Sequence, residues 1–131
     1  MTAQAASKLR SARKVLVIDD EEAFCVMLAR MLSNLGYKVL TTNSAKSAHL
    51  GETTESDIIF IDMMMPGMNG QQVLEFLSKN RIKSAIVLMS GSNLDLLADA
   101  EAYAKRSGLR LIGVLDKPFR ESDVRVVLEA E

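Results

Sequence analysis

The sequence predicts an α/β domain built on a five-stranded parallel sheet with helices on both of its faces. Five short apolar runs, rich in Val, Ile and Leu, alternate along the chain with segments that have helical periodicity. Continuous apolar strands are typical of a parallel sheet that crossover helices cover on both sides. With 131 residues, of which 48% are hydrophobic, the chain is long enough to form one such core.

The first half of the chain supplies two strands and two helices. Lys14 to Ile18 is an apolar run that we interpret as the first buried strand. Apolar residues then recur at helical spacing from Phe24 to Leu35, and Gly36 is well suited to end that helix. A second strand is predicted over residues 37–41, followed by a short helix over residues 44–51.

The second half continues the alternation. Residues 57–61 form a β-branched run that is bounded by polar residues and turn formers, which indicates a buried strand. A helix is expected over residues 70–78, a strand over 84–89 and a longer helix over 93–107, which Gly108 ends. The last predicted elements are a strand over residues 109–115 and a helix that begins near Ser122.

Polar side chains stand where four of these strands end. Asp19 and Asp20 follow the first strand, Asp62 the third, Ser90 the fourth and Lys117 lies just beyond the fifth. The carboxyl ends of parallel strands share one edge of the sheet, so these side chains should converge there. Clustered carboxylates favour a hard cation such as Mg²⁺. Asp62 could then attack a phosphoryl group, with the ammonium and hydroxyl groups stabilising its oxygens.

Each of these residues also has an ordinary structural interpretation. Asp19 and Asp20 precede a helix and could cap it or favour its dipole. Asp62 could bond its own loop backbone, Ser90 could cap the next helix, and Lys117 could be a solvated surface charge. The coincidence of all of them at four strand ends favours a functional site.

Composition limits the classes of function. The formal net charge of -1 argues against nucleic-acid binding by bulk electrostatics. No apolar run approaches the length of a membrane span, and the basic, Ala- and Ser-rich residues 1–13 lack the apolar core of a signal peptide. We interpret them as a disordered arm. The single cysteine, Cys25, fits a reducing compartment, so the cytoplasm is the expected location.

Four motifs, taken together in this order, resemble the receiver domain of two-component response regulators. They are Val-Leu-Val-Ile-Asp-Asp-Glu, Ile-Asp-Met-Met-Met-Pro-Gly-Met-Asn-Gly, Met-Ser-Gly and Asp-Lys-Pro-Phe. The resemblance covers roughly residues 14–129, so we assign residues 14–131 to a receiver domain. It implies a flavodoxin-like sheet of order 2-1-3-4-5.

The resemblance also implies a role for each site residue. Asp62 would accept a phosphoryl group from a histidine kinase or phosphotransfer protein. Ser90 and Lys117 would contact that group, and the Lys117–Pro118 peptide bond would be cis. A magnesium ion would be held by Asp19, Asp20, Asp62 and the backbone carbonyl of Met64. A downstream domain or protein would read the fourth predicted helix and the fifth strand.

The chain departs from the pattern of the receiver family at two places. Relatives carry Tyr or Phe three residues before the lysine, where this chain has Val114, so the switch position is atypical. The stretch between Ser90 and Lys117 also looks a few residues longer than is common.

The alternative function is a magnesium-dependent phosphohydrolase with an aspartyl-phosphate intermediate. The haloacid-dehalogenase-like family, which uses this chemistry, carries Asp-x-Asp with the second acid as the general acid. In this chain the position two residues after Asp62 holds Met64, which cannot transfer a proton.

Overall fold

The computed structural model describes residues 13–43, 57–65, 69–91 and 94–130. Within these ranges the strands are β1 (Lys14–Ile18), β2 (Lys38–Thr42), β3 (Ile58–Asp62), β4 (Ala85–Ser90) and β5 (Arg110–Asp116). The helices are α1 (Glu22–Asn34), α2 (Gly70–Lys79), α3 (Leu94–Arg106) and α4 (Glu121–Glu129). The predicted arm over residues 1–13, apart from Arg13, and the helix predicted over 44–51 lie outside the described residues.

All strand pairs are parallel, and the order in the sheet is β2-β1-β3-β4-β5. The predicted α/β architecture and its strand order are therefore confirmed. The five strands end at the same edge of the sheet, since Ile18 pairs with Ile61 and Asp62 with Met89. Strands β2 to β5 each begin and end one residue later than predicted, which makes Asp62 and Ser90 the last residues of their strands.

Two apolar cores, one on each face of the sheet, hold the helices in place. On one face, side chains of α1 and α4 such as Phe24, Leu28 and Val124 pack with alternate strand residues. On the other face, α2 and α3 contribute Leu74 and Leu97, among others. Every residue of β3 and β4 is buried, as expected for central strands covered on both sides. The central strands give the site at their carboxyl ends a rigid base.

The termini of the helices follow from local sequence. Gly36 has a φ of 96°, and the amide of Tyr37 donates to the carbonyl of Leu32 at 3.1 Å, so a Schellman motif ends α1 as predicted. Asn69 caps α2, where its side chain and that of Gln72 form a reciprocal capping box. This cap starts α2 close behind the loop that follows Asp62.

A bulge interrupts the pairing of β4 with β5. Ile86 pairs with Leu111 but Val87 pairs with Gly113, so Ile112 is the extra residue on β5. Glycine is required next to it, because a Cβ on Gly113 would lie 2.7 Å from a methyl group of Val127. The bulge lets β5 pack closely against α4 before it delivers Lys117 to the site.

Candidate functional site

Three aspartates form the centre of the candidate site. Asp19 and Asp20 follow β1, and Asp62 ends the adjacent strand β3. One carboxylate oxygen from each lies within 4.8 Å of the others. Asp19 is 0% and Asp62 4% exposed, whereas Asp20 faces solvent. The sequence-predicted convergence of these carboxylates is therefore present in the fold.

Lys117 brings a positive charge to the two buried carboxylates. Its Nζ lies 2.6 Å from Asp19 Oδ2 and 3.6 Å from Asp62 Oδ2. The backbone at Lys117 is tied to β4, since the Lys117 amide donates to the Ser90 carbonyl at 2.8 Å. The Lys117–Pro118 peptide bond is cis, as the resemblance implied. Lys117 is thus an internal ion-pair partner of the site rather than a solvated surface charge.

Ser90 contributes a buried hydroxyl group at the end of β4. The residue is 3% exposed, and its Oγ finds no hydrogen-bond partner among the described residues. A buried hydroxyl without a partner is costly. Ser90 is therefore available to bind a group that enters the site.

Burial disfavours the ionised form of Asp62 when no metal ion is bound beside it. It raises the pKa of the carboxyl group from 3.8 to about 6, and the charges of Asp19 and Asp20 act in the same direction. The Met64 amide, which donates to Asp62 Oδ1 at 3.1 Å, and the Lys117 ammonium lower the pKa but do not compensate fully. A cation at this site would relieve the repulsion between the carboxylates.

Asp19 also helps to cap the following helix, which was the structural interpretation of its position in the sequence. Its Oδ1 accepts the amide N–H of Glu21 at 2.9 Å, just before α1. Glu21 itself is the N-cap of α1 and makes no side-chain cap bond. The carboxylate of Asp19 therefore anchors the start of the helix with one oxygen and Lys117 with the other.

The donor set fits Mg²⁺. The three carboxylates supply hard oxygen ligands of the kind that this ion prefers, and the exposed side of Asp20 leaves room for the water molecules that it retains. Met64 is 56% exposed and lines a cavity together with Asp20 at this site. Its carbonyl remains a predicted ligand.

Sequence reasoning missed two neighbours of the site. The Phe24 ring centroid lies 4.1 Å from Lys117 Nζ, and the Cys25 thiol donates to the Asp19 carbonyl at 3.3 Å. Burial raises the pKa of the Cys25 thiol to about 11, so it stays protonated. In the sequence Phe24 is one of the apolar residues at helical spacing, and Cys25 is the single cysteine; neither pattern indicates the acidic site. The predicted switch position, Val114, is half-buried and packs against the core on the α2–α3 face.

The fold and the site define a class of protein. An open parallel α/β sheet of this strand order is the fold of the solved response regulator receivers that this chain resembles. The family model described as the response regulator receiver domain matches residues 15–129. The chain belongs to this family of two-component signalling domains.

Among the helices that the structure describes, none has the length and apolar character of a membrane span.

Relatives agree with this assignment. The chain is 29% identical over 121 residues to the alkaline phosphatase synthesis transcriptional regulatory protein PhoP of Bacillus subtilis, covering 90% of this chain and 48% of PhoP. It is 29% identical over 112 residues to the cell cycle response regulator CtrA of Brucella ovis, covering 85% of this chain and 46% of CtrA. The chain thus spans about half the length of these curated relatives.

Solved structures share the fold. A response regulator from Colwellia psychrerythraea superposes with a TM-score of 0.80 at 26% identity, covering 90% of this chain and 94% of the other. A response regulator receiver domain protein from Clostridium thermocellum gives a TM-score of 0.75 at 27% identity, with 90% and 93% covered.

Proposed function

We propose that this chain is a magnesium-dependent switch in which Asp62 accepts a phosphoryl group from a histidine kinase or a phosphotransfer protein. The observation that carries the proposal is the surroundings of Asp62. A buried carboxylate faces two further aspartates and a lysine, next to a buried serine hydroxyl that has no hydrogen-bond partner among the described residues. Membership of the receiver family supports the same function.

In the proposed reaction an Asp62 carboxylate oxygen attacks the phosphorus atom of the donor. The new P–O bond forms as the bond to the histidine nitrogen breaks, and that nitrogen keeps the electron pair. The Lys117 ammonium and the Ser90 hydroxyl would stabilise charge on the phosphoryl oxygens. Magnesium, when bound by Asp19, Asp20, Asp62 and the Met64 carbonyl, would reduce repulsion between the carboxylate and the phosphoryl group.

We propose that the phosphorylation signal passes through α3 and β5 to a downstream output domain or protein. A phosphoryl group on Asp62 would recruit Ser90, the last residue of β4 and the next strand residue before α3, and Lys117, which directly follows β5. Val114 lacks the aromatic ring of relatives and is stiff at its first torsion, so this face would have to repack by backbone movement near Ser90, or through Leu115 and the start of α3. We propose no direct nucleic-acid or membrane contact for the chain itself and expect it to act in the cytoplasm.

The alternative is a phosphohydrolase that turns over phosphate esters. It would need a general acid two residues after Asp62, and that position holds Met64, which has no transferable proton. The two functions differ in stoichiometry. A switch takes up one phosphoryl group and saturates, whereas a phosphohydrolase releases phosphate continuously.

Intact-mass spectrometry after incubation with acetyl phosphate tests the proposal. With Mg²⁺ the wild-type chain should gain the mass of a single phosphoryl group, and EDTA should abolish the gain. Asp62→Asn should stay unlabelled. Asp116 is an exposed aspartate at the end of β5, so Asp116→Asn is a matched control that should be labelled like wild type. Labelling of Asp62→Asn to the wild-type extent would refute the assignment.

Phosphate release from p-nitrophenyl phosphate distinguishes the alternative. The switch predicts no sustained, Mg²⁺-dependent turnover above that of Asp62→Asn. Multiple turnovers that disappear in Asp62→Asn would establish the phosphohydrolase.

A further inference from the structure

The ring of Phe24 lies against the ammonium group of Lys117. Lys117 Nζ is 4.1 Å from the ring centroid, and its side chain is only 17% exposed. Phe24 itself is 8% exposed in the first turns of α1. A second ring, that of Phe119, packs edge-on to Phe24 with centroids 5.4 Å apart and planes at 81°. The aromatic surface beside the ammonium is therefore itself held in place.

This arrangement limits the directions in which the ammonium can form hydrogen bonds. The face of an aromatic ring attracts a cation through its quadrupole, most strongly where the contact is partly desolvated. The same Nζ that contacts the ring also lies 2.6 Å from Asp19 Oδ2 and 3.6 Å from Asp62 Oδ2. The ring and the Asp19 carboxylate both contact the ammonium, so little of it is left for solvent and its nearest hydrogen-bond acceptor belongs to the acidic site.

We propose that Phe24 is a positioning residue for phosphoryl transfer, which it promotes by holding Lys117 in the site before the phosphodonor arrives. This inference rests on the proposed function of Asp62. Lysine has a flexible four-carbon stem, and a strongly hydrated ammonium is drawn towards solvent. Phe24 offsets that tendency and keeps the positive charge where negative charge develops on the phosphoryl group.

The prediction is specific for the aromatic face. Phe24→Leu keeps an apolar side chain but removes the quadrupole, so we expect the rate constant of labelling by acetyl phosphate to fall about three- to tenfold. Phe24→Tyr keeps the ring and should stay within about twofold of wild type. Mg²⁺ affinity should not fall in either variant, because Phe24 offers no ligand atom and loss of the ammonium from Asp19 would free that carboxylate for the ion.

A double-mutant cycle shows whether Phe24 acts through Lys117. In a Lys117→Gln background, Phe24→Leu and Phe24→Tyr should have equal labelling rates, since the cation is absent. Leu28→Ala, one helical turn further along the same buried face of α1, controls for lost packing and should label at the wild-type rate while folded. Should Phe24→Leu not fold, Phe24→Met replaces it in the cycle, because its unbranched, flexible side chain can fill the space left by the ring without supplying an aromatic face.

The outcomes separate this inference from the proposed function. Failure to label the wild-type chain would overturn the phosphoacceptor proposal itself. A labelled wild type with a Phe24→Leu rate equal to it would overturn the role of Phe24 alone. An equal loss in Leu28→Ala, or a loss that persists without Lys117, would reduce Phe24 to a core residue.

Discussion

Neutralising Asp62 is expected to stabilise the metal-free protein. The pKa of this carboxyl group is raised to about 6, first by burial and then by the neighbouring charges of Asp19 and Asp20. The ionised form is therefore less favourable in the folded chain than in the unfolded chain. The Asp62→Asn substitution keeps the shape of the side chain and an oxygen that can accept the Met64 amide.

The magnitude follows from linkage. Between pH 3.8 and about 6 the folded state binds more protons than the unfolded state, so stability falls as pH rises through this window. Above it the cost is complete, and a pKa difference of about two corresponds to about 3 kcal/mol. Asp62→Asn should therefore be more stable than wild type by up to about 3 kcal/mol at pH 7.5, with no difference below about pH 4.

Thermal unfolding in EDTA measures this effect. For a domain of this size 1 kcal/mol corresponds to roughly 3–5 °C, so the Tm of Asp62→Asn should exceed that of wild type by roughly 10 °C at pH 7.5. Asp116→Asn removes an exposed carboxylate at the same edge of the sheet and should change stability by less than about 0.5 kcal/mol. A lower Tm for Asp62→Asn at pH 7.5, or a gain independent of pH, would refute the reasoning.

The metal, the loop after β3 and the α3–β5 face can each be tested as well. Mg²⁺ should raise the Tm of the wild type by mass action but leave that of Asp62→Asn nearly unchanged, as differential scanning fluorimetry can show; an equal rise in both would place the ion elsewhere. Met64→Asn and Met64→Glu should speed loss of phosphate from the labelled protein, because a polar chain there can orient the attacking water, and radiolabel decay equal to wild type would remove Met64 from the mechanism. With beryllofluoride, NMR shifts should be largest at Ser90, in the first turn of α3 and over residues 112–119; shifts confined to the neighbours of Asp62 would mean that the α3–β5 face carries no signal.

Much of the fold could be predicted from the sequence because its signals are local. The apolar runs predict the strands, and Gly36 ends α1 through a Schellman motif that involves only nearby residues. The one-residue displacement of β2 to β5 arises because pairing with neighbouring strands, and not propensity, sets where a strand ends. The bulge at Ile112 and the close approach of Gly113 to α4 arise from tertiary pairing and packing, which no local pattern encodes.

The candidate site divides in the same way. Convergence of Asp19, Asp20, Asp62 and Lys117 could be predicted because parallel strands present their ends at one edge. The partners within that edge could not. Lys117 lies closer to Asp19 than to Asp62, and Phe24, from a distant part of the sequence, completes its surroundings by tertiary packing alone.

Chemical mapping of the phosphorylated residue tests the central claim most directly. Borohydride reduces an aspartyl phosphate to homoserine, and tandem mass spectrometry of the digested chain then locates the converted position. We predict conversion at Asp62 alone, only after incubation with both acetyl phosphate and Mg²⁺. Conversion at another carboxylate would contradict the proposed phosphoacceptor role, and equal conversion at Asp62 in the presence of EDTA would contradict its magnesium dependence.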